Sequence, residues 1–106
     1  MTIIIRNMHK NHFEPEPNHF RVDRQSPVGN PYPLNLEKNR NDVCDKYENY
    51  FAEQIKKPGK FYDYVKNILT KMNEYDTIYL YCWCAPRRCH ADTIKSWLME
   101  AYKEKK

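Results

Sequence analysis

Between Thr77 and Asp92 the chain reads TIYLYCWCAPRRCHAD, which gathers Cys82, Cys84, Cys89, Trp83, His90 and the adjacent Arg87 and Arg88. Three chemistries compete for the sulfurs. Three thiolates and an imidazole are an accepted zinc set, but a C-x-C pair on extended chain turns both sulfurs to one side without the knuckle that wraps a metal. No metal is expected. A nucleophile is the second reading: Cys82, a five-residue loop and Arg88 match the strand, loop, arginine, helix layout of phosphatase-type enzymes. The loop has no glycine, contains Pro86 and has no hydroxyl residue directly after the arginine. Cys89 at a helix start is an alternative reactive thiol. In the third reading the cysteines pack, as buried free cysteine commonly does, and Trp83 stacks on a ring. Arg87 and Arg88 beside a helix N-terminus bias the stretch toward an anion, phosphate or carboxylate; plain solvent exposure is the alternative. His90 at the helix start suits a phosphate donor, a metal ligand or a cap of its own helix, and a structural role weighs at least as much as a functional one.

These residues need a strand before them and a helix after them. Thr77–Cys82 is β-rich and uncharged, which predicts a central strand. Ile94, Trp97, Leu98, Ala101 and Tyr102 mark one face of a helix starting near Cys89 to Asp92. Upstream, Thr2–Ile5 reads as a strand buried on both faces, and Lys10–His19, with Pro15 and Pro17, reads as a loop. Phe20–Asp23 is a short strand. Ser26–Pro33 is a stiff segment in which Gly29 supplies a positive φ or room for close backbone approach. A helix capped by Asn41 or Asp42 buries Val43, Cys44, Tyr47, Tyr50, Phe51 and Ile55, and stops at Pro58-Gly59. Phe61, Val65, Ile68, Leu69 and Met72 line a second helix. This pattern predicts a small α/β domain, a short and mainly parallel sheet flanked by helices. Ligands of such sheets bind beyond the carboxyl ends of the strands, where Cys82–His90 falls.

The 106 residues suit one domain, 1–106. A formal charge of +4 is too mild for a duplex nucleic acid binder and sits well with a small anionic ligand. No apolar run approaches a membrane span, and Met1–Ile5 lacks the form of a signal peptide. A cytoplasmic protein with reduced thiols is expected.

Arg21-Val22-Asp23-Arg24, then Gly29-Asn30-Pro31, then Arg40 and the Tyr47 helix, and finally Cys82-Trp83-Cys84, Pro86 and Cys89-His90-Ala91-Asp92 follow one another in order. This succession resembles the Domain of Unknown Function 4326 family of bacteria, phages and some other viruses, over the chain from Phe20 to Glu100. The connection at Leu34–Asn39 is short for that family. The resemblance implies a Rossmann-like, nucleotide-handling fold in which two motif segments meet. Arg21, Asp23, Arg24, Gly29, Asn30, Pro31 and Arg40 would then share one ligand pocket with Cys82, Trp83, Cys84, Arg87, Arg88, Cys89 and His90. Asp23 would hold an arginine or a ribose hydroxyl, and some of the arginines would brace Asp23 or the glycine loop.

The expected function is binding of a phosphorylated nucleoside-like molecule, sequestering a nucleotide signal as a phage anti-defence protein would in the host cytoplasm. No cofactor and no membrane partner are expected, and homo-oligomerisation is left open. One rival is a nucleotide hydrolase or glycosyl transferase using Cys82 or Cys89 with His90 or Asp23. The other is an interaction module that blocks a host protein through its tyrosine-rich surface.

Overall fold

Two runs of β-branched and aromatic residues, Thr2–Asn7 (β1) and Thr77–Cys82 (β3), lie side by side in parallel, in register from Thr2 against Thr77 to Asn7 against Cys82. The short strand His19–Arg21 (β2) pairs in parallel along the other side of β3, with Phe20 opposite Leu80. The order β1-β3-β2 places the last strand at the centre, as its charge-free composition predicts. The computed structural model describes residues 1–32, 39–84 and 87–104. The short connection noted at Leu34–Asn39 therefore falls mostly outside the described residues, as do Pro33 and Pro86. Helices Arg40–Gln54 (α1) and Lys60–Lys71 (α2) precede β3, and His90–Glu104 (α3) follows it. Among the described residues the result is a small α/β fold with a three-stranded parallel sheet and three helices.

Each helix buries a stripe set by its periodicity: Cys44, Tyr47 and Phe51 on α1, Phe61, Val65, Ile68 and Leu69 on α2, and Ala91, Ile94 and Leu98 on α3. Most of these residues join Ile3, Phe20, Ile78, Leu80 and Cys82 in one core. Those strand residues share one sheet face by their period of two. On the opposite face Tyr81 is wholly buried outside that core, with Phe13 edge-on at 5.1 Å and Arg6 Nη1 donating to its hydroxyl at 3.0 Å. The β1–β2 connection covers this second face only in part, and Ile4 is 39% exposed. The expectation that β1 is buried on both faces is thus corrected: the helical core lies on one side of its isoleucine run.

Boundaries differ modestly from the sequence expectation. Asn39, not Asn41 or Asp42, is the N-cap of α1, and it makes no side-chain cap bond. Asn41 is occupied instead as an acceptor for Arg88, through both its carbonyl and its side chain at 3.2 Å. Gly59 caps α2 at φ +150°, a conformation that only glycine adopts readily, so Pro58-Gly59 separates the helices as expected. Because all three strands run the same way, Asn7, Arg21 and Cys82 end at one edge of the sheet. Backbone bonds from Met8 N to Cys82 O (2.8 Å) and Val22 N to Tyr81 O (2.9 Å) carry the alignment one residue further.

Candidate functional site

The segment leaving β2 folds back on itself. The Ser26 amide and hydroxyl both donate to Asp23 O, at 2.9 and 2.7 Å, and Gly29 N donates to Ser26 O at 3.1 Å. A Cβ on Gly29 would lie 2.6 Å from Arg24 Cα and 2.7 Å from Asp23 O, so close backbone approach, not a positive φ, requires the glycine here. Asp23 is 2% exposed. Its carboxylate accepts both arms of the Arg21 guanidinium and, at 3.1 Å, the Trp83 indole N–H. Arg24 donates to Asn30 O, and Asn30 Oδ1 accepts the Tyr32 amide at 2.9 Å. The helices pin the same segment: Tyr47 donates its hydroxyl to Val28 O at 2.6 Å and Tyr64 to Arg21 O at 2.5 Å. A buried carboxylate shared between a guanidinium and an indole is a brace that ties the β2 loop to the β3 loop.

After β3 the chain turns through a bond from Arg87 N to Cys84 O at 2.9 Å. Arg88 then reaches α1, donating to Asn41, to Asp45 at 2.8 Å and to Glu48 at 3.1 Å, while Arg40 Nη1 donates to Arg88 O at 3.0 Å. Trp83 stands 46% exposed, with the His9 ring edge-on at 4.7 Å. Asn7, His9, Lys10, Arg40, Trp83, Cys84 and Arg87 line an open cavity of about 350 Å3 beyond the carboxyl ends of β1 and β3. A second space of about 30 Å3, enough for one water, lies behind it among Arg24, Asn30, Arg40, Cys44, Cys84, Cys89 and His90. Arg40 and Cys84 line both and form the partition.

The thiols around this partition differ in character. Cys82 is inaccessible, and its sulfur lies 3.4 Å from that of Cys89. Cys89 opens α3: its sulfur accepts the Ala91 amide at 3.4 Å, and its own amide donates to Asp92 at 3.1 Å. Hydrogen bonds to Cys82 and Cys84, with burial, push the Cys89 thiol up. Cys84 goes the other way. The Cys89 hydrogen bond outweighs partial burial and, together with Arg40 and His90, holds the Cys84 thiol down to about 5. Burial raises the Cys44 thiol, in keeping with its place on the buried stripe of α1. His90 is 7% exposed and bonds Val22 O through Nε2. A carbonyl only accepts, so Nε2 carries the proton and the tautomer is fixed. Burial lowers the His90 pKa, only partly offset by that bond. Among the described residues no group of three or more His, Cys, Asp or Glu is disposed to hold a metal ion.

The two motif segments foreseen in the sequence do meet, but their residues divide. Arg40, Trp83, Cys84 and Arg87 line the outer cavity. Arg24, Asn30, Cys89 and His90 reach only the small inner space. Arg21, Asp23 and Gly29 shape the loop, Cys82 is core, Arg88 clamps α1, and Pro31 is exposed beside the loop. Sequence reasoning passed over Asn7, His9 and Lys10. The signal for them was available, because a strand parallel to β3 must deliver the residues after it to the same edge.

A family description, Domain of unknown function (DUF4326), matches residues 5–100 of the chain. No curated protein and no solved structure matches it.

Proposed function

The chain belongs to the DUF4326 family, and from that premise we propose that it binds a phosphorylated nucleoside-like small molecule in the outer cavity and sequesters it in the cytoplasm. The observation that carries this reading is one wall: Lys10, Arg40 and Arg87 border the same 350 Å3 space as the half-exposed indole of Trp83. Cations answer phosphate charge, with the arginines able to donate in pairs. A fixed indole face answers a base. Asp23 holds the indole N–H, so the ring is oriented before any ligand arrives, which lowers the entropy lost on binding. Asn7 and His9 add polar groups for sugar or base edges.

Sequestration of a nucleotide signal, as in phage anti-defence, is the role we assign to this binding. It agrees with a wall in which Arg40 and the Trp83 indole are held by the scaffold, and with the poor access of Cys82 and Cys89, the thiols of the rival enzyme reading. The test is incubation with a panel of nucleoside mono-, di-, tri- and cyclic phosphates, ultrafiltration, and chromatography of bound and free fractions. Retention of one class, recovered intact after denaturation, supports the proposal. Conversion to product overturns sequestration in favour of an enzyme, and failure to retain any member overturns nucleotide binding itself.

A further inference from the structure

We propose that Cys84 is a peroxide-reactive thiol whose sulfenic acid is resolved by Cys89, giving a Cys84–Cys89 disulfide on the wall between the two cavities. Cys84 is the one cysteine of the four that is not buried, and it lines the outer cavity, so a small oxidant reaches its sulfur. The Arg40 guanidinium borders the same two spaces and favours the ionised sulfur that attacks peroxide. The turn closed by Arg87 N and Cys84 O brings the chain back so that Cys84 and Cys89 line the same 30 Å3 space, while the Cys89 sulfur also lies 3.4 Å from that of Cys82. A reactive thiol beside a buried, protonated neighbour is the arrangement that resolves a sulfenic acid. Cys82 is fully enclosed and cannot take the first step.

The chemistry balances with a peroxide as the only co-reactant. The Cys84 sulfur attacks one peroxide oxygen, the O–O bond breaks, and the departing hydroxide or alkoxide takes a proton from solvent, leaving Cys84 as S–OH. The Cys89 sulfur then attacks that sulfur, the S–O bond breaks, and the hydroxyl leaves with the Cys89 proton as water. Sulfur is oxidised by two electrons and peroxide reduced by two. A transient disulfide of this kind is compatible with a reducing compartment.

The experiment uses the full chain, reduced, with Cys84→Ser and Cys89→Ser beside it. Serine is a preferred N-cap, so Cys89→Ser keeps the start of α3 and stays folded. At pH 6 the gain in ionised fraction outweighs the lower intrinsic nucleophilicity of an acidic thiol, so iodoacetamide should alkylate Cys84 about tenfold faster than a free cysteine derivative. Trypsin cuts after Arg87 and Arg88 and separates the two cysteines. Hydrogen peroxide should therefore produce a linked pair of peptides, with fragmentation assigning the bond to Cys84 and Cys89. In Cys89→Ser, dimedone should instead trap a sulfenic acid on Cys84. Alkylation of Cys84 no faster than the free thiol, a bond through Cys82, or the absence of both linkage and dimedone adduct would each overturn the proposal. None of these readouts involves a nucleotide, so they stand or fall separately from the proposed ligand.

Discussion

The loop after β2 and the loop after β3 both carry paired basic and polar motif residues at the same sheet edge, yet they use them differently. In the first, Arg21, Asp23, Arg24, Ser26 and Asn30 bond among themselves or with the backbone around them. In the second, Trp83, Cys84 and Arg87 line an open cavity, while Arg88 is spent on the scaffold. A dense motif marks a place where geometry is demanding, and half of that demand is bracing. The indole bond to Asp23 is the point where the braced loop holds the presenting loop in position.

The sharpest way to break the comparison is Gly29→Ala. The new Cβ would meet Arg24 and Asp23 backbone at 2.6–2.8 Å, and backbone cannot step aside as a side-chain tip can. A loss of about 3 kcal/mol in urea unfolding is expected, at the upper end of overpacking costs; a loss below about 1 kcal/mol would mean that the loop is softer than its bonding suggests. Asp23→Ala comes next. It strands the Trp83 N–H and one face of Arg21, whose side chain is 35% exposed and so partly rescued by water. About 2 kcal/mol should be lost, with a shift in Trp83 fluorescence that Arg24→Ala does not cause. Tyr47→Phe removes the hydroxyl that satisfies Val28 O in the interior, at a cost of about 1.5 kcal/mol.

Acid sensitivity separates the regions in another way. His90 titrates below its ordinary 6.5 in the folded chain, so its contribution is whole above that value and is lost as pH falls below it. Cys84 is depressed from 9.0 to about 5, so stability should rise with pH between those limits. Thermal unfolding between pH 7 and pH 9 should therefore flatten in Cys84→Ser, while His90→Gln should flatten only the acid limb. The reverse assignment would contradict the partition drawn around Cys84. Arg88→Ala should matter least: its partners Asp45 and Glu48 are more than half exposed, and such pairs contribute below about 1 kcal/mol.

The element order and the central position of β3 were legible because strand and helix periods are written directly in side-chain polarity. The same is true of Cys44, which falls on a helical stripe. What polarity could not tell was how the sheet is covered. A run such as Thr2–Ile5 looks the same whether helices lie on one side or two, and only the packing of Ile3 inward and Ile4 outward distinguishes them. The arginines were ambiguous for a related reason. Arg87 and Arg88 are neighbours in sequence but point to different partners once α1 presents Asp45 and Glu48, a tertiary fact with no local signature. Cys84, grouped with two other cysteines in the sequence, became distinct only when its exposure and its closeness to Arg40 were fixed by the fold.

The most direct measurement is calorimetric titration of whichever nucleotide class the chain retains into Arg87→Ala and Arg88→Ala. If the outer cavity is the binding site, Arg87→Ala weakens affinity about tenfold or more, the worth of one charge-assisted hydrogen bond. Arg88→Ala should then stay within about twofold of the unaltered chain, since its guanidinium serves α1. Equal losses in the two variants, or a loss confined to Arg88→Ala, would contradict the division between a bracing loop and a presenting one.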